Sequence, residues 1–214
     1  MTERGRPRSF DRAAVLLQAM EVFWARGYHG TSMTDLITAM NVNSPSIYAA
    51  FGSKEKLFRE AVALYRDNEG GRIWSAVTTA PSARAAIETV LRVSAEEFTR
   101  PGKPRGCLVV LGALHTDDAN EAVRRELQAH RAETMTMLLR RLKHGVAEGE
   151  LPDGPDWRAI ATFYITVQQG MSIQARDGAS RKVLLAVADC AMAAWDGLVS
   201  CRRDGMQGTP TIVE

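Results

Sequence analysis

Apolar residues recur along this chain with the spacing of α-helices. In residues 11–26 they form one broad apolar face, and Gly27 follows in the position of a C-cap. The same spacing predicts short helices at about 32–40 and 44–51 and a fourth helix that starts at Lys54. No segment alternates apolar and polar residues in the manner of a strand, so the pattern predicts an all-α protein.

The predicted helices are longer in the second half of the chain. Helical spacing covers about 82–99, 123–149, 156–176 and 180–201, and the continuous apolar stretch 107–114 predicts a buried helix. The last two helices carry apolar and small residues around most of their circumference, whereas a monomer needs one wet face there. We therefore predict that they pair with a second copy of the chain across a two-fold axis. The predicted dimer interface contains Ile160, Phe163, Tyr164, Val167, Val183, Leu184, Val187, Met192 and Trp195.

Length and composition are those of an ordinary globular protein. The chain has 214 residues, of which 45% are hydrophobic and 24% charged, which leaves room for one large domain or two small ones. Its formal net charge is only +2. The first twelve residues alone carry that excess, because four arginines stand there against one glutamate and one aspartate. Composition therefore excludes no partner, but it marks residues 1–10 as a basic N-terminal arm.

Cysteine usage predicts a reducing compartment. Cys107, Cys190 and Cys201 are odd in number, widely spaced and without metal-ligand spacing, which fits the cytoplasm better than a secreted disulfide scaffold. No apolar region follows the basic N-terminus, and no run approaches eighteen apolar residues. We therefore expect a soluble, cytoplasmic protein that does not enter a membrane.

The helix pair in residues 32–51 has the layout of a helix-turn-helix. Two short helices flank a break of three to four residues, and the second helix presents a small and polar outer face of Ser44, Ser46, Ala49 and Ala50. Such a face lets a backbone approach the floor of the major groove, where hydroxyls bond base edges and alanine methyls contact thymine methyls. An ordinary αα-hairpin is the alternative, and for an isolated hairpin it would be the better interpretation.

Flanking residues favour the DNA-binding interpretation. The phenol of Tyr48 can reach a phosphate, Lys54 lies at a helix N-terminus that attracts anions, and the basic arm is slim enough for a narrow minor groove. The predicted DNA-facing residues are Arg4, Arg6, Arg8, Thr31, Ser32, Thr34, Asn43, Ser44, Pro45, Ser46, Tyr48, Ala49 and Lys54.

Residues 16–58 resemble the DNA-binding domain of the TetR family of bacterial transcriptional regulators. The resemblance rests on Ala19, Phe23, Gly27-Tyr28, Thr31-Ser32, Val42 and the run Tyr48-x-x-Phe51-x-x-Lys54-Glu55-x-Leu57. Asn43 stands where the family usually has serine and Pro45 where it often has glycine, yet asparagine caps well and proline fits a first turn. Both belong to the segment NSPSIYAAFG, which resembles a sub-type of the family.

The resemblance implies a dimeric DNA-binding protein whose C-terminal domain binds a small inducer. We accordingly predict a basic arm at 1–10, a three-helix helix-turn-helix domain within 11–66, a regulatory and dimerisation domain at 67–201 and a flexible tail at 202–214. The expected function is repression from a near-palindromic double-stranded operator, relieved by an inducer. The alternative is a helical small-molecule-binding or thiol redox-sensing protein that does not act on DNA.

Candidate pocket residues in the C-terminal part are Trp74, Phe98, Cys107, Leu111, Met135, Phe163 and Met171, although plain core is the better interpretation of each. Cys107 follows Arg105 at a predicted helix N-terminus, and both features would lower the pKa of a thiol. The Gly-Cys-Leu run also resembles that of family members that sense electrophiles or oxidants. A buried, inert cysteine is nevertheless the better interpretation of Cys107, and Cys190 is expected to be buried in a packed helix.

Catalysis and metal binding lack candidate residues in the sequence. His115 with Asp117 and Asp118 allows either a metal site or, better, a helix cap. His130 and His144 lie about four turns apart on one helix and cannot share an ion. We therefore predict no enzyme activity, no metal and no cofactor.

Overall fold

The computed structural model describes residues 11–114 and 121–201, and every regular element within these ranges is helical. The N-terminal unit, which we call the head, contains α1 (Arg12–Arg26), α2 (Met33–Met40), α3 (Ser44–Phe51) and α4 (Lys54–Tyr65). A π-helical turn, Arg66–Gly70, leads into the second unit, the body. The body contains α5 (Gly71–Thr79), α6 (Ala83–Glu97), α7 (Leu108–Leu111), α8 (Glu121–Ala147), α9 (Trp157–Arg176), α10 (Arg181–Ala193) and α11 (Trp195–Ser200).

Side-chain caps fix the starts of the head helices. At α2 the cap is reciprocal: the N–H of Ser32 donates to Asp35 Oδ2 at 2.8 Å, and the N–H of Asp35 donates to Ser32 Oγ at 3.1 Å. Asn43 Oδ1 accepts from the N–H of Ser46 at 3.0 Å at the start of α3. The predicted caps of these two helices are thereby confirmed, and the turn between them is as short as the sequence indicates.

Aromatic rings fill the core of the head. Phe58 of α4 lies edge-on against Phe23 of α1, with ring centroids 5.0 Å apart, and against Tyr28 at 5.1 Å. Trp24 packs edge-on against Tyr65 at 4.9 Å. Because α4 supplies Phe58 and Tyr65 to this core, the predicted fourth helix packs directly on the three helices of the helix-turn-helix domain.

The body departs from the predicted elements at three places. The chain stays helical through Gly70 and Gly71, so no extended linker separates the two units. The apolar stretch after Cys107 forms only the single-turn helix α7. The last predicted helix breaks at Ala194, between α10 and α11.

Backbone hydrogen bonds join the head to the body. The N–H of Tyr28 donates to the carbonyl of Gly112 at 2.8 Å, and Trp24 Nε1 donates to the carbonyl of Gly106 at 2.8 Å. Gly27 has φ 71°, and a Cβ there would lie 3.1 Å from the Gly112 carbonyl oxygen, so glycine suits this position in both conformation and space. The segment 105–112 of the body is therefore fixed directly to the end of α1.

Arg176, at the end of α9, strengthens the same joint. Its guanidinium donates to the carbonyls of Trp24 at 2.7 Å, Ala25 at 2.5 Å and Arg105 at 2.9 Å. The Arg105 guanidinium in turn donates to the carbonyls of Ala175 at 2.7 Å and of Ala179. Two arginines thus tie α1, the segment 105–112 and the end of α9 together through backbone oxygens.

Candidate nucleic-acid interface and regulatory cavity

The outer face of α3 carries the side chains predicted to read DNA. Ile47 and Phe51 anchor α3 in the head core, at 1% and 4% exposure. Tyr48 is 47% exposed on the opposite side. Asn43, Pro45 and Ala49 are also exposed, whereas Ser44 and Ser46 are half-buried. One short helix therefore combines a buried anchor with a small, polar outer surface.

The residues predicted at the start of α2 differ in their accessibility. Thr34 is exposed, and Ser32 is exposed while its hydroxyl serves the cap of α2. Thr31 is 1% exposed and its hydroxyl donates to the Gly27 carbonyl at 2.7 Å. Its assignment to the DNA-facing set is therefore wrong, because the turn after Gly27 draws the hydroxyl inward.

Hydrogen bonds from Ser32 and an ion pair with Arg26 stabilise the charge of Asp35. The hydroxyl and N–H of Ser32 contribute most, the guanidinium of Arg26 adds to them, and together they lower the pKa of Asp35 to about 2. The start of α2 thus keeps its carboxylate charged at any physiological pH.

Lys54 at the start of α4 lies over an aromatic ring. Its Nζ is 4.3 Å from the ring centroid of Tyr28, and partial burial lowers the pKa of the amine. Its position beside α3 keeps it a candidate for a phosphate contact. The predicted arm residues Arg4, Arg6 and Arg8 lie outside the described residues.

The predicted dimer residues divide into a core set and a surface set. The structure buries five of them inside one protomer, where their packing on neighbouring helices explains their apolar character: Ile160, Tyr164, Leu184, Met192 and Trp195. Their assignment to the interface is wrong for that reason. Phe163, Val183 and Val187 are exposed and Val167 is half-buried. With Ile173, which is 44% exposed, these residues form an apolar stripe along α9 and α10.

One window of the described chain is long and apolar enough for a membrane span by length and composition. It covers Arg181–Ser200 and has a mean hydropathy of 1.6. The sequence shows no unbroken apolar run there because Asp189 and Asp196 interrupt it. In the fold its inner face is buried in the protein, and core helices commonly share such a composition. The window is weak evidence for a membrane.

A cavity of about 430 Å³ lies in the body between α4, the π-turn, α5, the segment 105–112, α8 and α9. Of the seven predicted pocket residues, Trp74 and Cys107 line it. Phe98 and Met171 are core residues, Phe163 belongs to the apolar stripe, and Leu111 and Met135 pack against the core without lining the cavity. Those five assignments are wrong because helical spacing does not distinguish a cavity wall from solid core.

Sequence reasoning missed the polar residues of the cavity. Gln168 of α9 is 3% exposed and its Nε2 donates to Ser94 Oγ at 3.2 Å. Arg131 of α8 donates to the carbonyl of Val109 at 2.8 Å. The sequence did carry a signal for Arg131, since it follows Leu127 by four residues and so continues the buried stripe of α8.

Cys107 lies in the cavity wall, in the buried environment that the inert-cysteine interpretation predicts. Burial raises the pKa of its thiol, and the hydroxyl of Tyr65, which donates to the sulfur, offsets only part of that effect. The expected activation by Arg105 is wrong because that guanidinium turns to the carbonyls at the end of α9. Cys190, in contrast, is exposed on α10, so its predicted burial is also wrong for the single protomer.

No group of three metal-ligating side chains occurs within residues 11–114 and 121–201. The ring of His130 lies beside Glu133 at 3.3 Å and Glu126 at 3.8 Å, in an ion-pair cluster on α8. His115, Asp117 and Asp118 lie outside the described residues.

Family models match both units of this chain. Residues 15–61 match the model for bacterial regulatory proteins of the tetR family, and residues 83–187 match the model for the tetracyclin repressor-like C-terminal domain. The first match covers α2, α3 and most of α1 and α4. The second includes half of the residues that line the cavity and the whole of the apolar stripe.

Relatives and solved structures extend the likeness over the whole chain. The transcriptional repressor ComR of Escherichia coli K12 is 33% identical over 92% of this chain and 94% of its own. The repressor BdcR of the same organism is 27% identical over 86% and 88%. A cysteine-substituted form of the TetR family regulator CifR, solved with 26-base-pair operator DNA, is 47% identical, covers 89% of this chain and 100% of its own, and has a TM-score of 0.85. These relatives are regulators of transcription and not enzymes.

Proposed function

The chain belongs to the TetR family of bacterial regulatory proteins and is a DNA-binding transcriptional regulator, and we propose that it is a homodimeric repressor released from DNA by a small molecule. One observation carries the proposal: the segment 105–112 both lines the cavity and is hydrogen-bonded to the head. The alternative of a helical protein that does not use DNA gives way to the family membership.

The proposed DNA contact is the outer face of α3. Pro45 and Ala49 are small enough for a close approach to base edges, and Tyr48 extends beyond them toward a phosphate. Asn43 and Ser46 flank this surface with polar atoms. We infer that α3 with its NSPSIYAAFG segment represents a sub-type of recognition helix within the family.

The proposed dimer contact is the apolar stripe. Phe163 and Ile173 on α9 and Val183 and Val187 on α10 leave large apolar side chains in water in a single protomer. Pairing the stripe across a two-fold axis would cover them and form a four-helix interface. Two heads held in this way would meet half-sites of a near-palindromic operator about 34–36 Å apart.

The proposed signal passes from the cavity to the head through the segment 105–112. Cys107, Val109 and Val110 line the cavity, while the carbonyls of Gly106 and Gly112 bind α1 and its C-cap turn. Tyr65 of α4 lines the same cavity and packs on Trp24 of α1. A ligand that displaces this wall would therefore shift both helices that carry α3 and spoil the spacing of the heads.

The remaining predictions follow the family. We infer a cytoplasmic site of action, since that is where bacterial DNA is read, and no catalytic activity, since the relatives are regulators of transcription. The basic arm at 1–10 stays a predicted minor-groove contact; it and the tail at 202–214 lie outside the described residues.

Fluorescence anisotropy on DNA fragments from upstream of the protein's own gene tests the DNA-binding role. Ala49→Glu places a charge against the bases and should abolish specific binding. Ala63→Glu, on an exposed position of α4, is the matched control and should bind as the wild type does. Equal binding by both variants would remove α3 from the interface. A reporter gene behind the bound fragment, silent with the protein and active without it, then separates repression from activation.

A further inference from the structure

Arg131 differs from three other arginines of α8, Arg124, Arg125 and Arg141, in its charge balance. Arg124 and Arg125 are paired with Glu121, and Arg141 is paired with Glu150 at 3.0 Å. Within residues 11–114 and 121–201, no carboxylate lies within ion-pair distance of Arg131. The positive charge in the cavity wall is therefore not neutralised by the described part of the chain.

The hydrogen bonding of Arg131 is also incomplete. Arg176 donates to three carbonyls and Arg105 to two, so these two arginines serve the joint without any acid. Arg131 donates to one described acceptor, the carbonyl of Val109. A guanidinium has five N–H donors in a planar fork, so an edge remains for a second, bidentate acceptor.

Burial makes that unpaired charge costly. Partial burial lowers the pKa of Arg131, and the positive charge of Arg124 acts in the same direction. A desolvated cation without a counter-ion is unfavourable, and an anion that binds beside it recovers part of that cost. The described acid that lines the cavity, Asp67, is exposed and shows no ion pair with Arg131.

The rest of the cavity wall suits an apolar group. Ile73, Trp74, Val110 and Met137 supply apolar surface, and the buried amide of Gln168 adds one polar contact. The cavity volume of about 430 Å³ lies within the range of roughly 300–1,000 Å³ typical of small-molecule sites. The cavity therefore has one cationic end and one apolar end, which match a ligand with an anionic group and an apolar group.

A basic groove leads to the cavity. A more open depression of about 1040 Å³ borders it and shares Arg66, Thr78, Thr134 and Met137 with its lining. This groove also carries Arg140, which has no ion pair within the described residues, and Arg141, which is paired with Glu150, while Glu133 is paired with Arg66. The one guanidinium in excess gives the groove a positive charge, which raises the local concentration of anions.

We propose that the cavity binds a small amphipathic carboxylate, with its carboxylate paired to Arg131 and its apolar tail against Trp74 and Met137. A single guanidinium matches the single charge of a carboxylate better than the nearly double charge of a phosphate monoester at neutral pH. The claim that this ligand is the effector rests on the proposed function. The claim that the cavity binds it does not.

Phenylalkanoates from phenylacetate to 5-phenylpentanoate, each with its matched primary amide, are the probes, and calorimetry on the full chain is the measurement. The wild type should bind at least one carboxylate about tenfold or more tightly than its amide, as expected for a charge-assisted hydrogen-bonded pair. Arg131→Gln should remove that preference, while Arg125→Gln, on the exposed side of the same helix, should keep it.

Two results would overturn the proposal: equal affinity of carboxylate and amide for the wild type, or no binding by any carboxylate. Neither result depends on a variant, so misfolding of Arg131→Gln leaves the test intact. Operator release is measured separately by anisotropy. If amides and carboxylates release the operator equally, the proposal of a ligand-controlled repressor stands and the proposal of an anion site is refuted. Arg131-dependent carboxylate binding without release would retain the site and refute the effector role.

Discussion

The head and the body of this protein differ in how completely their interiors are filled. In the head, four short helices with side-chain caps enclose aromatic rings at centroid distances of 5.0 and 5.1 Å. In the body, longer helices surround a cavity of about 430 Å³ with an arginine in its wall. Close packing holds a surface in one arrangement, whereas a cavity leaves room for its wall to move. The proposed DNA-contact surface thus lies on the more closely packed unit, and the proposed ligand cavity lies in the other.

The largest expected effect is a loss of operator affinity when the body no longer joins two heads. Val187→Glu places a charge in the apolar stripe and should split the dimer. Each head then holds one half-site, and operator affinity should fall about 10²–10⁴-fold with the loss of bivalency. Sedimentation and anisotropy measure both changes. Alkylation of Cys190, which lies three residues further along α10, should become faster in the variant.

Lys182→Glu is the matched control for the dimer. Five residues separate it from Val187, which places it about 140° round the helix and away from the stripe. Its assembly and operator affinity should be unchanged. A dimer that persists in Val187→Glu would move the interface to another surface.

A second comparison concerns the two interiors directly. Phe23→Ala empties part of the head core and should lower the free energy of unfolding by about 3–5 kcal/mol. Met137→Ala only enlarges an existing cavity and should cost about 1 kcal/mol or less. Urea unfolding measures both, with Leu17→Ala, 41% exposed on α1, as a surface control. Similar losses for Phe23→Ala and Met137→Ala would refute the contrast between the units.

A third comparison separates charge from hydrogen bonding at the DNA surface. Lys54→Ala should weaken binding to all sequences equally and reduce the slope of log affinity against log salt by about 0.9. Tyr48→Phe should weaken binding a few-fold at an unchanged slope, because it removes a donor and no charge. Ser46→Ala should instead alter the preference among operator bases. A slope unaffected by Lys54→Ala would show that its amine stays on Tyr28 in the complex.

The smallest effect concerns pH at the start of α2. Because the folded pKa of Asp35, about 2, lies below the ordinary 3.8, its carboxylate stabilises the head above pH 3.8. That contribution is lost as the pH falls toward 2. The difference in urea midpoint between the wild type and Asp35→Asn should therefore be present at pH 7 and smaller at pH 3. A difference that stays constant between the two would exclude the carboxylate's charge as the cause.

The helices of the head could be predicted from the sequence because the interactions that define them are local. The caps Ser32 and Asn43, the C-cap Gly27 and the anchors Ile47 and Phe51 each act within a few residues, so their spacing alone specifies the helices. The error at Thr31 arose because a hydroxyl at a helix start can serve the preceding turn as well as the cap.

The cavity could not be predicted from the sequence in the same way, because five helices and a turn supply its wall. Its lining residues range from Tyr65 to Gln169 along the chain. Helical spacing identifies buried positions but not which of them face a void, and so Phe98 and Met171 were grouped with Trp74. Arg105 does not act on Cys107 as expected, because its long side chain reaches the carbonyls of Ala175 and Ala179 at the end of α9.

Arg176 has a consequence for engineering. All three of its acceptors are main-chain oxygens, two of them at Trp24 and Ala25 at the end of α1. These hydrogen bonds depend on the position of the backbone at the end of α1 and do not depend on which side chains α3 displays. Heads with other operator preferences should therefore be exchangeable onto this body, provided that α1 ends with the same glycine turn and an indole remains for the Gly106 carbonyl.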